Sequence, residues 1–423
     1  MGASYDAVIV GAGVMGASSA LQLAAAGVGR VLVVEKAPGV GFGSTGRSTA
    51  IVRQTYSNHA VSLMAHEALR LFQGWADFVR VPAPRAHFVT TGALFLFRAG
   101  EPALPQIQAL HARVGIRSSV LRGEEQGRLF PDVDFAAPPA EELEAGAEDA
   151  GRDAAPAPHA VDALYEHEAG FADPVGTATD LLEAARALGA EVRFRCRVAG
   201  IGQAGGRVTG VRLEQDGQVE EIAAPVVVNC AGPWAVGLNA QVGQPLRHEL
   251  VPTRVQVVTK AYRERLRGRL PMLADLVSGF YGRPEASGDQ LILGSVREED
   301  EREAVADPDR FNDAADAPFR ERTLRLLQHR VPALATRGRV SSYAGLYTVN
   351  RTDSHPIIDR SPLEGYFYCN GFSGHGFKLS PVVGMLVARL VLGQWGRGRT
   401  AVPEDFFAHD RPPLPTHWGG VIA

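Results

Sequence analysis

The 423-residue chain exceeds the size at which one hydrophobic core keeps growing, so two associated domains are expected. Hydrophobic residues at 45% and charged residues at 21% exclude wholesale disorder, and a formal net charge of −4 gives no global reason to bind nucleic acid or anionic lipid. Small-molecule partners are expected instead.

Tyr5–Val10 reads as a short strand and Val14–Ala26, after a glycine turn, as a helix, with Val31–Val34 as the next strand. No basic region precedes the first strand and no run of about 18 apolar residues occurs, so neither a signal peptide nor a membrane span is predicted. Phe88–Phe97 is strand-like, and 131–160, rich in Ala, Pro, Asp and Glu, reads as a solvated loop. Gly176–Leu188 is a helix, Glu191–Arg197 a strand, and Val208–Glu214 with Val219–Ile222 a hairpin around Asp216-Gly217. Val226–Asn229 is a buried type of strand. Arg247–Val258 and Gly279–Gly294 are β-rich, Phe319–Val331 is helical, and Tyr366–Cys369 leads through a glycine turn to a helix over Ser380–Leu392. The fold class is α/β (α+β): a Rossmann-like nucleotide domain interleaved with a mixed β-sheet substrate domain. The expected division is 1–80, 160–240 and 345–410 for the first, and 81–159 and 241–344 for the second.

Three motifs carry chemistry. In Gly11-Ala-Gly-Val-Met-Gly16, the first glycine permits a tight turn, Gly13 lets backbone approach a phosphate, and Gly16 allows close helix–strand packing. Val14 and Met15 begin the helix whose N-terminus faces the pyrophosphate, and Glu35, about 20 residues on, ends the next strand where a carboxylate accepts ribose hydroxyls. This motif alone allows NAD or FAD. In 43–53, the hydroxyls of Ser44, Thr45 and Ser48 with Arg47 offer further phosphate contacts, and Arg53 lies near a second site; a plain solvated glycine loop is the alternative. In Gly371–Lys378, a glycine turn before an apolar helix forms an anion or oxyanion binder beside the fixed cation Lys378, against the alternative of a tight turn with a surface lysine. Cys196, Cys230 and Cys369 are far apart, with neither CxxC nor metal-ligand spacing. A reducing cytoplasm and no metal are expected.

These motifs, together with Cys230-Ala-Gly-Pro-Trp234, Gly345-Leu-Tyr-Thr348 and Pro356–Asp359, resemble the D-amino-acid oxidase superfamily, nearest its sarcosine oxidase and dimethylglycine dehydrogenase group. The resemblance spans nearly the whole chain and implies FAD at the boundary between the two domains, with oxidation of an amino-acid C–N bond to an imine. It places Glu35 and Lys36 at the adenosine, Ser44 and Thr45 at the pyrophosphate, and Val198 at the adenine through its backbone. Ala231, Gly232, Trp234 and Gly345 lie along the cofactor, and Gly374, His375, Gly376 and Lys378 border the flavin. Arg53 and Lys378 would bind the substrate carboxylate beside Tyr347. Tyr347, His375 and Lys378 are the candidate catalytic residues, and His355 is read as structural.

Three departures from the sarcosine oxidase pattern shape the expectation. Gly345 stands where a cysteine joins the flavin covalently, so FAD is predicted to be non-covalent. Ala50 stands where an arginine lies above the ring, and no oxygen-activating lysine occurs near Leu291–Val296. The resulting reading is oxidation of a secondary or N-methylated amino acid, with oxygen or another electron acceptor. The alternatives are a dehydrogenase for a primary or cyclic amino acid, and a flavin-binding subunit that is silent outside a larger complex or oligomer.

Overall fold

The computed structural model describes residues 3–136, 161–263, 266–334 and 338–415. Of the loop expected over 131–160, the stretch 137–160 lies outside these residues.

The β-turn-α-β reading of the first 34 residues gives the centre of a six-stranded sheet. Its order is Ile357–Arg360, Tyr366–Asn370, Val227–Asn229, Ala7–Val10, Val31–Val34, Glu191–Arg193. All neighbours run parallel except the edge strand Ile357–Arg360. Ala7–Val10 and Val31–Val34 are buried at every position, as a parallel sheet covered on both faces requires of its unbroken apolar runs. Helix Val14–Ala25 packs on this sheet between helices Pro174–Ala187 and Gly376–Leu392. The approach to the last is close: a Cβ on Gly384 would stand 2.5 Å from the Ser18 carbonyl oxygen.

Four of the parallel strands end at one edge of the sheet, so Gly11, Glu35, Cys230 and Gly371, each just beyond a strand, converge there. A parallel sheet places its ligand crevice at this edge, outside the carboxyl ends of its strands.

An eight-stranded mixed sheet faces the crevice. Its order is Val340–Asn350, Leu250–Ala261, Gln290–Ser295, Phe280–Pro284, Met272–Asp275, Ala93–Arg98, Val161–Glu166, Ser118–Leu121. Leu250–Ala261 and Val340–Asn350 pair antiparallel from Leu250 opposite Asn350 to Lys260 opposite Val340, which sets Tyr347 opposite Thr253. The chain changes sheets later than the expected boundary at 160, because Val161–Glu166 pairs with Ala93–Arg98. The expected boundary at 345 falls inside one continuous strand of this sheet.

The hairpin around Asp216-Gly217 forms as Arg207–Gln215 and Gln218–Ala223, while the stretch expected as one strand over 191–197 breaks at Arg195, whose φ is 53°. The last helix starts at Gly376 rather than Ser380. Pro381 sits inside it and forgoes one backbone bond. Helix His59–Gln73, capped by the Asn58 side chain accepting from the Ala60 N–H, has no counterpart in the sequence reading. Among the described residues, no helix is long and apolar enough to cross a membrane.

Candidate active site

The glycine turn after Ala7–Val10 has the geometry that its residues dictate. Gly11 has φ 101°, and a Cβ there would stand 2.6 Å from the Cys230 carbonyl oxygen; a Cβ on Gly16 would stand 1.9 Å from the carbonyl oxygen of Gly11. Gly13 caps the following helix without a side chain. The first bond of that helix runs from the Ala17 N–H to the Gly13 oxygen at 2.9 Å, so the Met15 and Gly16 amides have no intrahelical partner. Val14 donates to Thr45 Oγ1 at 3.0 Å, which docks the loop after residue 43 onto the helix start. The Glu35 carboxylate accepts from the amides of Ala12 at 2.9 Å and Ala37 at 2.8 Å.

A cavity of about 430 Å³ lies over this turn. Gly11, Gly13, Val14, Met15, Glu35, Lys36, Ser44, Thr45, Ser48, Val198, Ala231, Gly232, Trp234, Tyr347, Gly374 and Gly376 all line it. At the end near Glu35, the Lys36 ammonium lies 3.7 Å from the Trp234 ring centroid and pairs with Asp309, a cavity residue that sequence reasoning missed. Gly16 lies beneath the turn and outside the lining. Arg47 is outside it as well: its guanidinium donates to the Ala344 carbonyl at 2.7 Å and to Asp313 at 3.2 Å, clasping the loop to strand Val340–Asn350. Gly345 lies under that arginine, and a Cβ on it would meet the Arg47 Cβ at 3.0 Å.

A second cavity, of about 70 Å³, adjoins the first; Ser48, Tyr347, Ser373, Gly374 and Phe377 line both. Arg53, His375 and Lys378 line the smaller one only. Arg53 is 4% exposed, stacks at 4.3 Å on the Tyr56 ring and donates to the Thr55 carbonyl. Lys378, 6% exposed, projects from the first turn of the last helix. Burial, with the Arg53 charge beside it, holds the Lys378 ammonium well below the usual lysine range, and Glu166 opposes that shift.

Glu166 is another residue that sequence reasoning missed. Fully buried at the end of Val161–Glu166, it accepts from the Gln54 and Thr55 amides, the Gln54 side chain and the Thr55 hydroxyl, at 2.8 to 3.1 Å. Burial pushes its carboxyl up, and these bonds and Arg53 pull it down. Tyr347 is held well above the usual tyrosine range by burial and the neighbouring Tyr281 hydroxyl. A protonated phenol at this place can donate a hydrogen bond. His375 caps the last helix and meets the Tyr56 ring edge-on at 5.4 Å. His355 lies apart, buried, with Nδ1 at 2.6 Å from the Asp353 carbonyl oxygen.

The sequence model of the family described as FAD dependent oxidoreductase matches residues 6–390. The chain belongs to that family. FAD-dependent oxidoreductase domain-containing protein 1 of Xenopus laevis is 29% identical over 413 residues, covering 92% of this chain and 79% of the relative. Peroxisomal sarcosine oxidase of Mus musculus is 25% identical over 405 residues, covering 91% of this chain and 92% of the relative. Among solved structures, L-proline dehydrogenase from P. horikoshii shares the fold with a TM-score of 0.77 at 24% identity, covering 96% of this chain and 97% of that one.

This member of the family is thus an FAD-dependent oxidoreductase, and its larger cavity fits the cofactor on its own chemistry. Backbone amides at a helix N-terminus and glycines without a side chain suit a pyrophosphate. Ser44 Oγ, buried in the cavity wall, has no hydrogen-bond partner among the described residues.

Proposed function

We propose that this oxidoreductase oxidises the C–N bond of an amino acid, specifically a secondary or N-methylated one, to the imine. One observation carries the reading. Arg53 and Lys378, two buried cations, line a small cavity that shares five wall residues with the cavity suited to FAD. Two cations side by side repel one another, and the Lys378 ammonium is depressed first by burial and then by the Arg53 charge. A substrate carboxylate between them relieves it and forms charge-assisted bonds that fix the α-carbon against the shared wall. The likeness to a peroxisomal sarcosine oxidase supports the same substrate class.

Bound FAD supplies the hydride acceptor. The protein's residues hold and orient. The first turn of helix Gly376–Leu392 directs its amides and positive dipole end towards the larger cavity, where negative charge is stabilised. Tyr347, protonated, meets the Tyr281 hydroxyl in the small cavity, and His375 stands at the helix start. Arg47 stabilises the loop against the substrate-side sheet instead of reaching the cofactor. With Arg47 packed over Gly345, no thiol is available there, which supports non-covalent FAD.

Anaerobic mixing of the purified protein with N-methyl, cyclic, D- and L-amino acids tests the proposal. Bleaching of the flavin absorbance by one of these classes is expected. Reduction by a non-amine substrate, with none by any amine, overturns it.

The acceptor reading that the site favours is one other than oxygen. Ala50 is buried, with φ 52° and its N–H on Ser48 Oγ, and brings no cation to the ring. Lys260, opposite Leu291, lines neither cavity. Slow reoxidation by oxygen and fast reoxidation by an artificial acceptor are expected; rapid peroxide formation speaks for an oxidase.

A further inference from the structure

Glu301 gives the small cavity a second, opposite pole. It ends the turn Glu298–Glu301 and lines the cavity alongside Tyr281 and Tyr347. Its acidic neighbours are all engaged elsewhere: Glu298 with Arg302 at 2.9 Å, Glu299 with Arg297 at 3.4 Å, and Asp300 with Arg322. Glu301 has no hydrogen bond or ion pair among the described residues. The groups that act on it or feel its charge are Asp300, Tyr281 and Tyr347. Neither Arg53 nor Lys378 is among the groups that act on Glu301, and Lys378 feels Arg53 and Glu166 instead.

A half-buried carboxyl in a cavity wall without a counter-charge is disfavoured as an anion, and Glu301 is pushed up to about 7 by burial and by Asp300. The missing counter-charge has an evident source in an amino acid, which reaches the site as a zwitterion. We propose that Glu301 receives the ammonium group of the substrate, while Arg53 and Lys378 receive its carboxylate. The cavity is then a zwitterion site with one pole for each charge. This assignment rests on the amino-acid reading above and adds to it: the substrate binds with its nitrogen protonated, and plain carboxylates use only half the site.

The test compares N-methylglycine with methoxyacetate, which replaces the ammonium by an ether oxygen. Both are titrated against the FAD-loaded wild-type protein and its Glu301→Gln and Glu301→Asp variants, the first by anaerobic flavin reduction and the second by its perturbation of the flavin spectrum. Where a different amino acid reduces the wild-type protein better, it and its own ether isostere replace the pair. Glu301→Gln is expected to raise the concentration of amino acid needed for half-maximal reduction at least tenfold and to leave methoxyacetate binding within twofold of wild type. Glu301→Asp, retaining the charge, recovers part of the loss. Equal effects on both ligands, no effect on either, or a loss confined to substrates with a side-chain ammonium would each overturn the role of Glu301. A wild-type protein that is reduced by no amino acid and binds no methoxyacetate overturns the amino-acid reading itself.

Discussion

Glu166 accepts two kinds of hydrogen bond from Gln54 in full burial, from the backbone amide at 2.8 Å and from the side-chain Nε2 at 2.9 Å. With the bonds from Thr55, a carboxylate on the eight-stranded sheet fixes the conformation of the segment that carries Arg53. The cation is therefore positioned from a sheet to which it does not belong.

Glu166→Ala leaves two buried backbone amides, the Gln54 side-chain amide and the Thr55 hydroxyl without an acceptor, and removes the negative charge that acts on Arg53 and Lys378. A loss of roughly 3–5 kcal/mol is expected, measured by denaturant or thermal unfolding. Glu166→Gln keeps some acceptor capacity and should be milder. An unfolding curve for Glu166→Ala that superposes on wild type contradicts the positioning role.

Lys378→Met is expected to weaken carboxylate binding roughly 10- to 100-fold, the range for losing one charge-assisted bond. The pH dependence provides a second check. Because the Lys378 pKa is depressed, carboxylate binding, which favours its protonated form, is strongest at low pH and weakens as pH rises through a range below the usual one for lysine. The variant should lose that dependence. Titration of a carboxylate against the flavin spectrum from pH 6 to 10 measures both effects.

Glu301 makes folding stability pH-dependent in the opposite sense to an ordinary ion-paired carboxylate. Its folded pKa, about 7, lies above its ordinary value of 4.5, so its contribution is fully present below about 4.5 and is lost as pH rises through 7. Glu301→Gln removes that loss. The variant should match wild type near pH 4.5 and exceed it at pH 8 by an amount on the order of 2–3 kcal/mol. Thermal melts of the two proteins at both pH values decide the matter.

Acid precipitation should release all FAD into the supernatant, and the same is expected of Gly345→Cys. A side chain at 345 points at Arg47, which lies within 3.0 Å of the position its Cβ would take. Flavin retained in the precipitated protein, in either case, would count against the packing described around Arg47.

The cofactor side of the site was legible because its signals are local. Gly11, Gly13 and Gly16 are required by a turn, and Glu35 ends the strand that follows; each can be read within one βαβ unit. The substrate side depends on long-range pairing. Glu166 meets Arg53 because Ala93–Arg98 pairs with Val161–Glu166 and Ile51–Val52 with Gly170–Phe171, contacts separated by up to about 120 residues of chain. Nothing around Glu166, Glu301 or Asp309 marks them out, since each is an acidic residue in an unremarkable local context. Arg47 stands outside the cavity lining for the same reason. Its neighbours Thr45 and Ser48 do line the cavity, but Asp313 and Ala344, far along the chain, draw its guanidinium away.

The wall between the two cavities divides the molecule's evolutionary options. Ser48, Tyr347, Ser373, Gly374 and Phe377 line both compartments, so on the proposed assignment any change there must satisfy cofactor and substrate at once. Met272, Ser295 and Glu301 face the small compartment alone. Exchanges at these three can retune which molecules are accepted while the nucleotide cradle stays as it is, so one scaffold can acquire new substrates without relearning how to hold its flavin.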